Sequence, residues 1–236
     1  MPGSGSPFAF FAAAGLNRQY VFALAGLAPE IKAQVGARAG ETQLILLAHA
    51  GRLLWEKIRT AAVPGDDPID TYTTACVRDF FATQAPGVAY RILYPGAAPV
   101  GLQALGQLAG WHHAAPFMVG VDPVWGSWFA YRALIVAASD FPLSAPLTHT
   151  HPCTSCRDPV CLRACPGDAL RGRFDLAACA DYRLQSASAC AANCLARRAC
   201  PLGGEHAYSV QQMRHSYSRS LQALQAWRES ADKKGG

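Results

Sequence analysis

The chain has 236 residues, 51% of them hydrophobic and only 16% charged, with a formal net charge of +5. That is enough apolar content for a sizeable core in one large domain or two small ones, which excludes a disordered chain. The longest apolar runs, such as residues 44–48, stop well short of the roughly 20 residues that a membrane-spanning helix needs. Residues 8–14 are too short and too weakly flanked for a signal peptide, so a cytoplasmic protein with no membrane span is expected.

In chain order, residues 1–16 are mostly Gly, Ser, Pro, Phe and Ala and read as a loosely ordered lead-in. Residues 28–59 have helical spacing interrupted by Gly36, Gly40 and Gly51, and within them residues 44–47 fit either a buried strand or the start of a helix. Residues 64–68 form a Pro/Gly/Asp loop, and a helix is expected over 71–84 with Tyr72, Cys76, Phe80 and Phe81 on one side. A strand over 88–94, a loop over 95–99 and a helix over 100–109 follow. Strands over 117–121 and 132–138 flank the turn-rich residues 122–126, and a polar-faced helix over 209–231 precedes a Lys-Lys-Gly-Gly end. Alternating strands and helices argue for a layered α/β or α+β domain.

Residues 1–150 hold nine basic and nine acidic side chains, which cancel, whereas residues 151–236 hold twelve and seven. The whole excess charge therefore sits with eight of the nine cysteines, which predicts a boundary near residues 149–152. The first run is Cys153-x2-Cys156-x4-Cys161-x3-Cys165-Pro166; the second is Cys190-x3-Cys194-x5-Cys200-Pro201, with Cys179 ahead of it. Closely spaced cysteines ending in Cys-Pro are the pattern of bacterial ferredoxin segments, in which the last cysteine of a run ligates the other cluster. Eight thiolates suffice for two 4Fe-4S clusters. Two rivals use the same residues: disulfides, which need an oxidising compartment, and a zinc knuckle on Cys153 and Cys156 with His149 and His151 beside it. The local excess of Arg, including Arg171, Arg173, Arg197 and Arg198, interleaves with cysteines rather than aromatics, so it points to neutralising anionic clusters and not to nucleic acid. Cys76 reads as a core cysteine.

The run Trp125-Gly126-Ser127-Trp128-Phe129-Ala130-Tyr131-Arg132, followed by an apolar strand and then the cysteine segment, resembles the cobalamin-dependent epoxyqueuosine reductases. Gly126, Trp128, Phe129, Ala130 and Arg132 also resemble the matching run of the cobalamin-processing proteins. These families share, with the reductive dehalogenases, a nitroreductase-like fold that holds base-off cobalamin. The resemblance covers residues 90–201, about half of the chain. It implies an α+β, nitroreductase-like cobalamin-binding domain over residues 1–148. It also implies a ferredoxin-like dicluster segment over 149–208, and residues 209–236 remain as a C-terminal helix and tail. The resemblance further implies one cluster on Cys153, Cys156, Cys161 and Cys200, and the other on Cys165, Cys179, Cys190 and Cys194. The sequence departs from the reductases where their catalytic Asp stands, because Gly96 precedes Ala97-Ala98-Pro99-Val100 here. Their glycine-rich loop is replaced by residues 109–116, and their C-terminal repeats are missing, so epoxyqueuosine reduction itself is not expected.

Among other residues, His112 and His113 are candidates for a proton donor or upper ligand, set against a plain loop pair bonded to backbone. Arg132 is a third catalytic candidate, and Trp111, Trp125, Trp128, Phe129 and Arg132 are candidates to line the corrinoid. No P-loop, Gly-x-Gly-x-x-Gly or Asp-x-His-x-x-Gly run occurs. The expectation is an iron–sulfur, corrinoid-binding oxidoreductase that takes electrons from a flavodoxin, ferredoxin or flavoprotein reductase. It would serve cobalamin reduction, upper-ligand removal or a cobalamin-dependent reduction. The alternative is a ferredoxin-type electron carrier that binds no corrinoid. The 209–231 helix fits either a dimer arm, which would make a homodimer, or a cap, and the sequence leaves the two open.

Overall fold

The computed structural model describes residues 7–235, with side chains described through residue 230. It falls into two compact units: residues 7–112 with Phe129–Thr148, and residues 113–128 with residues 149–235.

The first unit is built on an antiparallel sheet of β1 (Arg18–Ala23), β2 (Gln43–Ala50), β3 (Tyr90–Tyr94) and β4 (Phe129–Ala137), in the order β1-β2-β4-β3. Every residue of β2 is buried. Both faces of that strand are covered, which is why its sequence shows no alternation. Ile45 and Leu47 pack with Leu54, Val77 and Phe80, while Leu44, Leu46 and Ala48 pack with Tyr20, Phe22, Leu105 and Trp111. Residues 44–47 are thus strand. The surrounding residues 28–59 are not one interrupted helix but α2 (Pro29–Val35), β2 and α3 (Leu53–Thr60). Gly36 closes α2 in the left-handed region, at φ +54°, where a side chain would be strained.

Residues 1–6 of the expected lead-in lie outside the described residues; the rest is not loose. Ala9–Ala13 form α1, and Phe8 and Phe11 stack on Phe80 at 5.7 and 4.5 Å between ring centroids. Phe80 lies on α4 (Pro68–Thr83), which starts earlier than the periodicity predicts because Pro68 suits a first helical turn. The buried side of α4 runs Ile69, Thr73, Cys76, Val77, Phe80, Phe81, a helical stripe with three- and four-residue steps. The helix α5 (Leu102–Leu108) completes the unit.

In the second unit, residues 117–121 are not a strand. Only Val121 pairs, in an isolated bridge with His113, and Pro116, Gly120 and Pro123 deny the segment a ladder. Asp122 instead caps a turn, its Oδ1 accepting from the N–H groups of Val124 and Trp125, each at 2.9 Å. Short helices follow: α6 (Val160–Arg163), α7 (Leu176–Arg183), α8 (Leu195–Ala199) and the long α9 (Val210–Gly235). Asp175 caps α7 by accepting from the Ala178 N–H at 3.0 Å, and the Ser209 hydroxyl accepts from the Gln212 N–H at 3.2 Å as α9 begins.

Candidate functional site: two cysteine quartets

All nine cysteines are free thiols. Eight of them form two sets in the second unit. Burial and the charges of Cys200, Cys161 and Cys156 push the Cys153 thiol up, and Cys161 is raised by burial with Cys200 and Cys156. Cys179 is likewise raised by burial and by Cys194, Cys165 and Cys190, although the Arg183 charge works the other way. Cys194 is raised by burial and by Cys190. Neither set draws on the other. Cys165 closes the first run in sequence yet sits with the second set, and Cys200 makes the reverse crossing.

Local structure makes the crossing. Cys161 lies on α6, Cys179 on α7, and α8 is bracketed by Cys194 at its N-cap and Cys200 at its C-cap, so opposite ends of one short helix serve different sets. A small core of Phe117, Leu170 and Ala196 lies among Cys161, Cys165, Cys194 and Cys200. The Cys200-Pro201 turn is held by a close backbone approach. A Cβ on Gly126 would stand 2.0 Å from the Leu202 carbonyl oxygen, and one on Gly203 would stand 2.5 Å from the Trp125 carbonyl carbon. Both glycines have positive φ.

Cys153, Cys156, Cys161 and Cys200 all line one open cavity of 620 Å³ with apolar walls that include Phe117, Val160 and Leu162. Among the described residues, no three His, Cys, Asp or Glu side chains converge closely enough to share a single metal ion. Thiolates on one zinc would stand about 3.8 Å apart, as its bond length requires. A cubane carries one thiolate on each iron and asks for a wider ring of four, which suits quartets of thiols within electrostatic reach of one another.

The other candidates are divided between the units. In the first, the Trp111 ring is covered by the Arg18 guanidinium at 4.6 Å, and Phe129 meets the edges of His112 and Tyr131. His112 is buried, its Nδ1 3.2 Å from the Tyr131 hydroxyl. Arg132 is the extra residue of a β-bulge: Ala133 pairs with Leu47 and Tyr131 with Ala48, leaving Arg132 without a cross-strand partner. Its Nε donates to Nδ1 of the buried His49 at 2.9 Å. In the second unit, Trp125 lies 4.3 Å from His206, and Trp128 meets the Arg197 guanidinium at 4.4 Å and Tyr208 edge-on at 5.5 Å. His113 faces His151 at 5.3 Å, and burial followed by the His151 charge holds it below the usual histidine range. Nδ1 of His151 accepts from the Cys153 N–H at 3.2 Å. Cys76 joins neither quartet; it lies in the first unit beside Tyr72, whose hydroxyl burial pushes up to about 12.

Sequence reasoning missed three residues. Arg183 is buried beside the second quartet, and its one signal is the helical i+4 step from Cys179. His49 and Arg18 are polar residues within apolar strands, which spacing alone does not mark as partners of Arg132 and Trp111.

No family model matches the chain, and no curated protein matches it in sequence. In structure it is similar to an epoxyqueuosine reductase solved with an epoxyqueuosine-modified tRNA-Tyr stem loop. The TM-score is 0.57 at 13% identity, over 89% of this chain and 67% of that one. The Bacillus subtilis epoxyqueuosine reductase gives 0.57 at 14% identity, over 88% and 67%. The C. elegans B12-trafficking protein CblC overlays at 0.47 and 11% identity over 89% of both chains, too loosely to argue from. At this identity the likeness is one of architecture: the chain has a mixed α+β fold similar to that of the epoxyqueuosine reductases.

Proposed function

We propose that this chain is an iron–sulfur redox protein. Cys153, Cys156, Cys161 and Cys200 would hold one 4Fe-4S cluster, and Cys165, Cys179, Cys190 and Cys194 a second. The observation that carries the reading is the exchange of Cys165 and Cys200 between the two runs, because a chain that wraps two neighbouring cubanes trades its last cysteines this way. When bound, the clusters supply one-electron storage and transfer. The chain's own residues prepare the site: α6 carries Cys161 and α8 is capped by Cys194 and Cys200, the buried Phe117 gives the first quartet an apolar wall, and the Gly126–Gly203 approach fixes Cys200. Burial raises the thiols of Cys161, Cys179 and Cys194, so loading iron there releases protons.

The fold likeness supports a corrinoid as the electron acceptor, with cofactor reduction, upper-ligand removal or a corrinoid-dependent reduction as the outcome. Three of the four aromatic residues expected to line it are covered by other side chains; Trp125, partly exposed beside His206, is not. Arg18 covers the face of Trp111, Arg197 and Tyr208 pack on Trp128, and Phe129 is buried against His112 and Tyr131. Those covered rings favour the second reading, an electron carrier that binds no corrinoid. Anaerobic reconstitution followed by titration with cob(II)alamin separates them. About eight iron atoms per chain are expected, and fewer than half that number would end the two-cluster reading. Loss of the lower-base nitrogen splitting in the cobalt spectrum would establish the corrinoid; an unchanged cobalt signal beside intact cluster signals would leave the carrier.

A further inference from the structure

Two arginines in the second unit are buried to an unusual degree, Arg183 at 7% exposure and Arg197 at 6%. Arg183 donates from Nε to the Cys190 carbonyl at 3.1 Å, from one terminal nitrogen to the Ser220 hydroxyl at 3.0 Å and from the other to the Tyr217 carbonyl at 3.2 Å. Its guanidinium also lies 5.1 Å from the Tyr217 ring. Arg197 donates from Nε to the Ser127 hydroxyl at 3.2 Å and from a terminal nitrogen to the Ser127 carbonyl, and it lies over the Trp128 and Tyr208 rings. Every acceptor is neutral. Among the described residues no carboxylate pairs with either arginine; the ion pairs nearby in sequence, Asp168–Arg171 and Asp181–Arg228, use others.

A buried guanidinium keeps its proton, and burying such a charge without an opposite one is strongly unfavourable. The missing counter-charge lies next to both arginines. Arg183 follows Cys179 by one helical turn on α7, and its charge acts on that thiol. Arg197 stands on α8 three residues after Cys194, and its backbone N–H donates to the Cys194 sulfur at 3.4 Å. With four neutral thiols the two positive charges stand uncompensated. Four thiolates around an oxidised 4Fe-4S core carry a net charge of about two negative, which cancels them.

Resting on the two-cluster reading, we propose that Arg183 and Arg197 are the built-in counter-charge of the second quartet and hold its reduction potential up in spite of burial. Reduction adds one electron and no proton, so the site gains a full negative charge. Burial alone opposes that gain, and two fixed cations offset the opposition without any rearrangement.

The test is an anaerobic redox titration of the reconstituted full chain, followed by electron paramagnetic resonance. Arg183→Met and Arg197→Met are each expected to keep about eight iron atoms and to lower one of the two midpoints, leaving the other in place. The reduced-to-oxidised ratio at fixed potential should fall at least tenfold, about 59 mV for a one-electron couple. Arg183→Lys and Arg197→Lys, which keep the charge, should restore most of the shift, and the control Arg78→Met, exposed on α4 of the first unit, should move neither midpoint. Ser220→Asp keeps the buried arginine and gives it a carboxylate, so it should lower the same midpoint even if the Met variants fail to fold. Full iron content with both midpoints unchanged in Ser220→Asp and the Met variants would overturn the proposal. A native chain that takes up no iron would overturn the two-cluster reading and this inference with it.

Discussion

The two quartets share one ligand chemistry and meet different surroundings. In the first, Cys153 and Cys156 are exposed, and the nearest ion pair, Arg163 to Asp158 at 2.6 Å, stands in solvent with both side chains more than 60% exposed. In the second, no cysteine is exposed, and the cations beside it are the buried Arg183 and Arg197. If both quartets load clusters as proposed, solvent ions would have to compensate charge at the first site, and the fixed guanidiniums of Arg183 and Arg197 at the second. Two cysteine sets of similar spacing thus stand in unlike electrostatic settings, because burial and charge are set by the helices around each sulfur and not by the cysteine spacing.

The largest expected effect breaks the comparison at its root. Cys200→Ser should remove the first cluster and Cys165→Ser the second, each halving iron from about eight to about four atoms per chain. The surviving spectrum should differ between the two variants. If Cys200→Ser instead spared the signal lost in Cys153→Ser, the exchange between runs would be wrong. The same contrast extends to the two units. Phe80→Ala takes away the ring on which Phe8 and Phe11 stack, and should destabilise the first unit by about 3–5 kcal/mol in thermal or urea unfolding. Iron per folded chain should stay constant, since no quartet cysteine belongs to that unit.

A subtler change acts on one quartet only. Gly126→Ala forces a Cβ to within 2.0 Å of the Leu202 carbonyl at a φ of +56°, so the turn carrying Cys200 must shift. Strain of about 1–3 kcal/mol is expected. The first cluster should load slowly or be lost early under chelation, while the second is retained; equal loss from both would mean that Gly126 holds the segment as a whole.

How much of this was legible in the sequence depends on the range over which each feature is decided. Cysteine spacing is local: it singled out all eight quartet residues, and the Cys-Pro pattern suggested that each run's last cysteine crosses, yet the full division into two sets came only from a family resemblance. The run 44–47 stayed open between strand and helix because β2 is covered on both faces, which erases the alternation that separates the two. β1 drew no expectation, since Arg18 and Gln19 disguise a strand whose Arg18 is buried by cation–π contact with Trp111. Residues 117–121 misled for the opposite reason: of this apolar run only Phe117 and Val121 are buried, Met118 and Val119 are exposed, and Phe117 packs among the cysteines instead of in a sheet. The aromatic residues carried the right composition for a flat cofactor, but which ring faces remain open is decided by Arg18 and Arg197, and sequence does not show that. Arg183 is the same case from the other side, a cation whose burial only the packing of α7 with α9 reveals.

The smallest expected effect sharpens the contrast between mobile and fixed compensation. Raising ionic strength from 0.01 to 1 M shortens the screening length from about 30 Å to about 3 Å. Ions reach the exposed Cys153 and Cys156, so the midpoint of the first cluster should rise with salt as cations gather around the reduced, more negative state. They do not reach Arg183 and Arg197, so the second midpoint should move less over the same range. Ser220→Asp should leave the salt response of the first cluster unaltered and lower the second midpoint most at low salt, because residue 220 is exposed and its added charge is screened as ions gather. Equal salt responses in the native protein would mean that the buried arginines do not shield the second site from its solvent, and the electrostatic distinction between the quartets would be lost.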